Sequence, residues 1–374
     1  MEVDESPAVG VPLGSRIRAA RELRAYTQGE TVALMPQRIT TAALSQIESG
    51  KYRPSDDTVQ ALSSALEVPA EYFSVQWPSG SSGLNPPTAF FRDLRATPVR
   101  ERRRALAMAT LLNDLVAAIE HHVRLPQVEL DRIPVEAGVQ RDAIEQAART
   151  LRASWGLGDG PIIHVIRTLE RHGIPVARLA IGHRTVDAFS VAFERRPLVL
   201  LTVDKSNYVR SRFDAAHELG HIAMHFDRTV TDRTIEAQAH SFAASFLLPA
   251  PAALEELPER LDTNGWARLA QMKSRWGISI AALLRRSRDL RVLSDNDYTN
   301  AMRFMSTRGW RTQEPGDREL GPPEAPLLLE RALRTIEIRN GITTEELIQA
   351  AHLPLGDTLE LLHASHDGRP VVEF

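Results

Sequence analysis

Two histidines and a glutamate stand at a spacing that could support metal chemistry. The run His217-Glu218-Leu219-Gly220-His221 has the pattern H-E-x-x-H. On a helix, His217 and His221 would project from one face and could hold one metal ion. Glu218 would stand beside them to take a proton from a water that the metal polarises. A buried helix whose histidines only form hydrogen bonds is the alternative explanation.

Glu236 is the candidate for a third ligand, because a catalytic zinc ion takes three protein ligands and leaves one position for water. It lies in a downstream stretch where Ala239 and Phe242 recur at helical spacing. His217, His221 and Glu236 would together provide the required set. An ordinary solvated helix charge is the alternative for Glu236.

Both stretches together resemble the ImmA/IrrE family of zinc metallopeptidases. That family has an H-E-L-G-H helix followed by E-x-x-A-(N/D)-x-F-A-x-x-L-L-x-P, and the sequence departs from it at His240, where Asn or Asp is usual. The resemblance implies Zn²⁺ as cofactor, His217, His221 and Glu236 as its ligands, and Glu218 as the catalytic base. We interpret His240 as a residue that orients a ligand histidine. The alternatives are that His240 itself binds the metal, or that it marks a site that no longer serves hydrolysis.

Composition limits the class of protein. The chain has 374 residues, of which 43% are hydrophobic and 25% charged, as in globular proteins of two or three domains. Without cysteine, disulfides and thiolate metal sites are excluded. The sequence contains neither a bilayer-spanning apolar run nor a secretory signal, so we expect a cytoplasmic protein without a membrane partner. The net charge of −3 does not indicate nucleic-acid binding, which must be judged locally.

Residues 14–75 predict a compact all-α unit of short helices. Thr27 can cap the second helix, and Thr40 or Thr41 the third, which Gly50 ends. The sequence L-S-Q-I-E-S-G-K-Y-R-P-S, from 44 to 55, resembles a motif of the Xre/Cro-type repressor family. In that family the third helix enters the major groove of DNA.

Local charge agrees with binding of double-stranded DNA at this unit. Residues 14–55 carry seven basic and three acidic side chains, a net charge of +4. Gln46 could reach base edges and Lys51 could meet phosphates. A helical bundle that binds protein is the alternative. The residues expected to contact DNA are Thr40, Thr41, Ala42, Ser45, Gln46, Lys51 and Arg53.

The segment after this unit must connect it to the metal motif. Residues 76–96 are rich in Gly, Pro and Ser and predict a flexible linker. A helix from about Pro98 to Val123 follows, with a basic start that we interpret as solvated rather than as additional DNA contact. Its apolar face predicts packing, with a second subunit as one possible neighbour, so we expect a homodimer.

Three β-rich runs precede the ligand helix and predict a small antiparallel sheet. They span 174–181, 186–193 and 198–203, and the last is almost wholly apolar, which predicts a central strand. A sheet followed by the ligand helix resembles the layout of zincin-like peptidases, in which a sheet edge can hold a substrate strand. The isolated His164, His183 and His225 are interpreted as ordinary polar residues rather than ligands.

The remainder predicts helices. Residues 273–283 resemble the region that follows the peptidase motif in Xre–ImmA/IrrE fusion proteins, and we favour a packing element there over a second helix-turn-helix. We predict a helix-turn-helix domain at 14–75, a flexible linker at 76–96, a zinc metallopeptidase-like domain at 97–260, its helical extension at 261–311, a linker at 312–326 and a small helical C-terminal unit at 327–374.

These elements predict a mainly α protein with an α+β part, in which an all-α DNA-binding domain precedes a zincin-like domain and a helical C-terminal region. The resemblance implies a bacterial transcription regulator whose metal domain cleaves a partner repressor or the chain itself in response to a signal. The alternative is a non-hydrolytic regulator whose metal domain senses a ligand or a partner.

Overall fold

A computed structural model describes ten parts of the chain. They are 8–9, 13–36, 39–76, 88–91, 98–133, 135, 141–179, 188–203, 207–225 and 233–367. Over these residues the fold is mainly α with an α+β part, as predicted. Among the described helices, none is both long and apolar enough to cross a membrane.

The N-terminal unit consists of short helices closed by a 3-10 turn. Its elements are β1 (Ala8–Val9), α1 (Gly14–Leu23), α2 (Gln28–Leu34), α3 (Thr41–Glu48), α4 (Asp56–Leu66), the 3-10 helix Ala70–Ser74 and β2 (Val75–Gln76), which pairs with β1. Hydroxyl oxygens of Thr27, Thr40 and Ser55 accept a backbone N–H in the first turn of α2, α3 and α4. Each cap lies where a side chain can satisfy an otherwise unpaired amide, so the sequence signals and the helix starts coincide.

Helix α5 (Val99–His122) joins this unit to the rest of the chain. Arg16 of α1 donates two hydrogen bonds to Asp114 of α5, one of them from Nη2 to Oδ1 at 3.1 Å. Both side chains are buried, at 4% and 0% exposure. Burial alone would lower the pKa of Arg16, but the charge of Asp114 raises it. The apolar face of α5 packs against other elements of the same chain.

A mixed sheet forms the centre of the molecule. Its strands are β3 (Thr88–Phe91), β4 (Val176–Leu179), β5 (Ala188–Ala192) and β6 (Pro197–Thr202), in the order β3-β5-β6-β4. β5 pairs antiparallel with β3 and β6, whereas β4 runs parallel to β6. The prediction of an antiparallel sheet was wrong for β4, because apolar β6 lies between β4 and β5 and separates two runs that are neighbours in sequence. The alternation of residues carries no information on strand direction.

The predicted flexible linker includes one of these strands. Thr88–Phe91 forms β3, with Phe90 opposite Ser190 of β5. Residues 77–87 and 92–96 of that linker lie outside the described residues. Gln76 belongs to β2 and Thr88–Phe91 joins the mixed sheet, so the described part of the linker is paired in strands.

The two faces of the sheet pack against different helices. Phe189 and Leu200 face a core shared with α1, α5 and the C-terminal helices. Val199 and Leu201 face a second core built from the helices of the metal motif and its extension. These helices are α6 (Arg141–Ser154), α7 (Val165–Arg171), α8 (Tyr208–Met224), α9 (Arg233–Leu247), α10 (Ala250–Glu256), α11 (Thr263–Trp276), α12 (Ile280–Asp289) and α13 (Asp295–Thr307).

The segment predicted as a linker at 312–326 is held against the second core. Glu314 accepts hydrogen bonds from the N–H groups of Ile280 and Ala281, at 2.7 and 2.9 Å. Glu324 is buried, contacts Arg212 and accepts the N–H of Ile166 at 2.8 Å. These carboxylates attach the segment to α7, α8 and α12.

The C-terminal unit contains α14 (Leu328–Asn340), α15 (Thr344–Ala350) and α16 (Leu355–Asp367). Glu170 of α7 accepts N–H groups of Leu327 and Leu328 at 3.0 Å. Burial raises the pKa of Glu170 to about 7, although these hydrogen bonds lower it. Arg24 of α1 donates to Asp357 of α16, at 2.8 Å for Nη2. The C-terminal unit thus contacts both the sheet side and the N-terminal unit.

We predict that Asp114→Ala lowers the free energy of unfolding by about 3–5 kcal/mol, because it leaves Arg16 buried without its anionic partner. Denaturant unfolding measures the change. The double variant Arg16→Met, Asp114→Leu is the control, since two apolar side chains remove both charges and should recover most of the loss. A cost below about 1 kcal/mol for the single variant, as for a surface pair, would contradict the prediction.

Candidate functional site

Helix α8 carries the H-E-x-x-H residues. Asn207 caps it by accepting the N–H of Arg210 at 2.8 Å. His217, Glu218 and His221 have exposures of 2%, 0% and 0%. The helix packs between the sheet and α9, so these polar groups lie inside the second core and require polar partners there.

A glycine allows the third candidate ligand to approach. A Cβ at position 220 would lie 2.9 Å from Cδ1 of Phe242 on α9. Only a residue without a side chain fits this contact between α8 and α9. The close approach of the two helices brings Glu236, in the first turn of α9, to the histidines of α8.

His217, His221 and Glu236 converge on one point. The two Nε2 atoms lie 3.1 Å apart. The Glu236 carboxylate lies 3.3 Å from Nε2 of His217 and 3.4 Å from Nε2 of His221. Ligands about 2.0–2.1 Å from a tetrahedral zinc ion are separated by about 3.3–3.4 Å. The three donors therefore fit a metal ion, since one ligand atom of each lies within 4.8 Å of the others.

Charge at the site suits a cation. Burial alone would raise the pKa of the Glu236 carboxyl, but hydrogen bonds and charges from His217 and His221 lower it to about 2. The carboxylate is thus ionised at neutral pH and available as a ligand.

A chain of hydrogen bonds sets the orientation of His221. Nδ1 of His221 lies 3.2 Å from Nδ1 of His225, and Nε2 of His225 lies 3.0 Å from Oε1 of Gln238. Because Gln238 accepts there, His225 carries its proton on Nε2, and its Nδ1 accepts the proton of His221 Nδ1. The lone pair of His221 Nε2 is then directed at the metal position.

His225 and Gln238 were missed by the sequence analysis, which set His225 aside as an ordinary polar residue. The available signal was its position four residues after His221, on the same face of the helix. His164 caps α7 and pairs with Glu324 at 3.0 Å. His183 lies outside the described residues.

Glu218 faces the sheet. Its Oε2 accepts a hydrogen bond from Oγ of Ser190 on β5, at 2.7 Å. Ser190 itself is fully buried. The central strand therefore helps to hold the candidate base, a contribution that the sequence pattern did not reveal.

His240 lies between His217 and a groove that opens beside Phe213. Its ring centroid is 6.3 Å from that of His217 and 4.8 Å from that of Phe213. Phe213 and His240 line a groove of about 430 Å³ together with Tyr298, Met302 and Trp310. His240 is thus placed to contact a molecule in this groove, and its role in orienting a ligand histidine stays a prediction.

The predicted DNA-contacting residues are exposed to solvent. Leu44 and Ile47 of α3 are buried in the core of the N-terminal unit, which directs the opposite face outward. The predicted residues are all exposed or half-exposed: Thr40, Thr41, Ala42, Ser45, Gln46, Lys51 and Arg53. Tyr52, which the sequence analysis did not select, adjoins them at 57% exposure. Docking of the unit on α5 leaves this surface open.

We predict that replacing both His217 and His221 with alanine removes about one equivalent of zinc per chain, because two of the three donors are lost. His225→Ala should retain zinc but bind it about 10–100-fold more weakly, since His221 loses its orienting partner. Elemental analysis and chelator competition measure the two effects, with His122→Ala on α5 as control. Stoichiometric zinc in the double variant would place the ligands elsewhere.

Comparison with known families agrees with these two sites. A family model described as helix-turn-helix (HTH_3) matches residues 17–73, and one described as IrrE N-terminal-like domain (Peptidase_M78) matches residues 169–288. No curated protein matches the chain in a sequence search. One matched region contains α3, and the other contains the candidate ligands His217, His221 and Glu236. The chain therefore combines an Xre-type helix-turn-helix domain with an IrrE/ImmA-like Peptidase_M78 domain in one polypeptide.

Proposed function

We propose that this protein is a DNA-binding transcription regulator whose zinc-dependent peptidase domain cleaves the chain itself or a partner regulator in response to a signal. The observation that carries the proposal is the convergence of His217, His221 and Glu236 at tetrahedral spacing, with Glu218 adjacent on the same helix. The helix-turn-helix match supports the binding of double-stranded DNA.

The side chains of the site can divide the work of peptide hydrolysis. A zinc ion held by the three donors would act as a Lewis acid toward water and the peptide carbonyl. Glu218 takes the proton from the attacking water and delivers it to the leaving amine. Ser190 holds the Glu218 carboxylate, and the groove beside His240 gives the peptide a place to lie.

The position of β3 supports the chain itself as one substrate. An extended substrate strand could add to the edge of β5 by backbone hydrogen bonds. β3 already occupies that edge, with Phe90 opposite the serine that contacts Glu218. A cut in the range 77–88 would separate the DNA-binding domain from the peptidase domain. Within this range, the structure describes Thr88 alone.

The DNA-binding part of the proposal rests on α3. The base-reading candidate Gln46 and the phosphate-binding candidate Lys51 are both exposed. We further propose a homodimer, because two copies of such a helix would read the two halves of a palindromic operator. The apolar face of α5 is occupied within one chain, so the dimer contact would use another surface.

A second candidate function is a non-hydrolytic regulator in which the metal domain senses a ligand or a partner. It is favoured by the contact of Ser190 with Glu218 on one face of β5, while Phe189 and Val191 pack toward α5 on the other. A change at the metal site could then reach the DNA-binding domain through the strand without any cleavage.

We predict that Glu218→Gln keeps zinc but abolishes cleavage, because glutamine cannot accept the proton of water. The measurement is mass spectrometry of the regulator and its fragments in cells under an inducing stress. Glu255→Gln, at an exposed position of α10, is the control for a lost carboxylate. Normal induction and unchanged fragments in the Glu218→Gln strain would reject the peptidase function and leave the sensing function.

We predict that Gln46→Ala weakens binding to the selected operator by about 1–3 kcal/mol, because a base contact is lost, and leaves binding to random DNA unchanged. Lys51→Ala should weaken both equally, as expected for a phosphate contact. Fluorescence anisotropy with the two duplexes measures this. A chain lacking residues 1–75 that keeps full operator affinity would refute DNA binding by this domain.

A further inference from the structure

Arginines at the start of α5 share a cleft with the helix-turn-helix domain. Arg100 and Arg103 line it together with Arg18 of α1 and with Thr27 and Gln28 at the start of α2. Because the cleft brings these arginines together, we propose, in place of the solvated helix start expected from the sequence, that this arginine cleft binds a phosphate of the DNA backbone, beside the bases that α3 would read. The inference rests on the proposed DNA binding and extends the contact surface beyond the helix-turn-helix domain, to a helix outside the region matched as such.

The chemistry of the cleft suits a phosphate. Its volume is about 600 Å³. The side chains of Arg18, Arg100 and Arg103 are 50%, 51% and 56% exposed, so their guanidinium groups are accessible from solvent. Arginine binds phosphate oxygens through two parallel N–H donors, with a planar geometry that a lysine lacks.

The cleft adjoins the two helices that a helix-turn-helix places at DNA. In a helix-turn-helix the first helix crosses the DNA backbone while the second enters the major groove. Those two helices are α2 and α3 here. Both line the cleft, since Gln28 belongs to α2 and Glu48 is the last residue of α3. A phosphate in the cleft would therefore be near the strand whose bases α3 contacts.

The cleft has a defined geometry because α5 is fixed to the domain. The buried hydrogen bonds between Arg16 and Asp114 hold α5 against α1. Arg100 and Arg103 belong to the same continuous helix as Asp114, so they do not depend on a flexible segment. Their positions relative to α3 are set by packing, which reduces the entropy lost on binding DNA.

Acidic groups in the cleft do not cancel its charge. Four arginines and two glutamates line it. Glu48 is buried and already accepts two hydrogen bonds from Arg21, at 2.6 and 2.9 Å. Arg100 lies 3.3 Å from Glu30, and both side chains are about half exposed, so water and salt weaken this contact. Arg18 and Arg103 lie 3.6 Å and 3.8 Å from Glu48 and Glu22, which is longer than a hydrogen bond, and both guanidinium groups remain half exposed. A DNA phosphate can therefore displace them.

The test measures the salt dependence of DNA binding by the full chain. Arg100→Gln, Arg103→Gln and the double variant are titrated against a random-sequence duplex and a selected operator between about 50 and 200 mM salt. Each lost phosphate contact should reduce the magnitude of the slope of log K against log salt by about 0.9. Between the two salt concentrations, the affinity of a single variant should therefore decrease by a factor about 3.5-fold smaller than the affinity of the unmodified chain. Both duplexes should be affected equally, because a phosphate contact does not read sequence.

Arg275→Gln is the matched control, since Arg275 is 62% exposed and pairs with Glu256 at 3.1 Å. It lies on α11, a helix that packs in the second core and does not line the cleft. If the cleft variants change slope and affinity no more than this control, the proposal is overturned while DNA binding itself stands. A loss confined to the operator duplex also overturns it, because that result indicates base reading. Failure of the unmodified chain to bind either duplex would remove the proposed DNA binding as well.

Discussion

The burial of the sheet on both faces is the constraint on which the rest of this structure depends. β4 and β6 are buried along their whole length, so each face needs its own apolar cover. α5 and its neighbours cover one face, and the ligand helix α8 helps to cover the other. The DNA-binding domain and the metal site are therefore built on opposite sides of the same strands.

Polar groups inside these cores connect parts of the chain that are distant in sequence. Arg16 and Asp114 fix the N-terminal unit to α5, and Glu324 attaches the segment at 312–326 beside Arg212 of α8. A charge in an apolar core is costly unless a partner of opposite sign or several N–H groups accompany it. Each such pair thus selects one arrangement of the units, because most other arrangements would bury an uncompensated charge.

The candidate metal site combines contributions from three elements. α8 supplies the histidines, α9 supplies Glu236 and Gln238, and β5 supplies Ser190. Gly220 permits the approach of α9 that closes the site, while the sheet restrains the glutamate beside the ligands. β5 contacts the candidate base on one face, and on the other it faces the core in which α5 packs against the N-terminal unit, which gives either proposed function a physical route between the two sites.

The sequence alone determined the residues with chemical potential and most helices, because these depend on local spacing. The i, i+4 histidines, the caps at Thr27 and Thr40, and the apolar run of β6 are all local signals. The partners of each element were decided by tertiary structure: the parallel pairing of β4, the strand formed by Thr88–Phe91, and the docking of α5 by Arg16 and Asp114. Such contacts join residues far apart in the chain, and their energies depend on burial and on the geometry of the partner, neither of which spacing along one segment can specify.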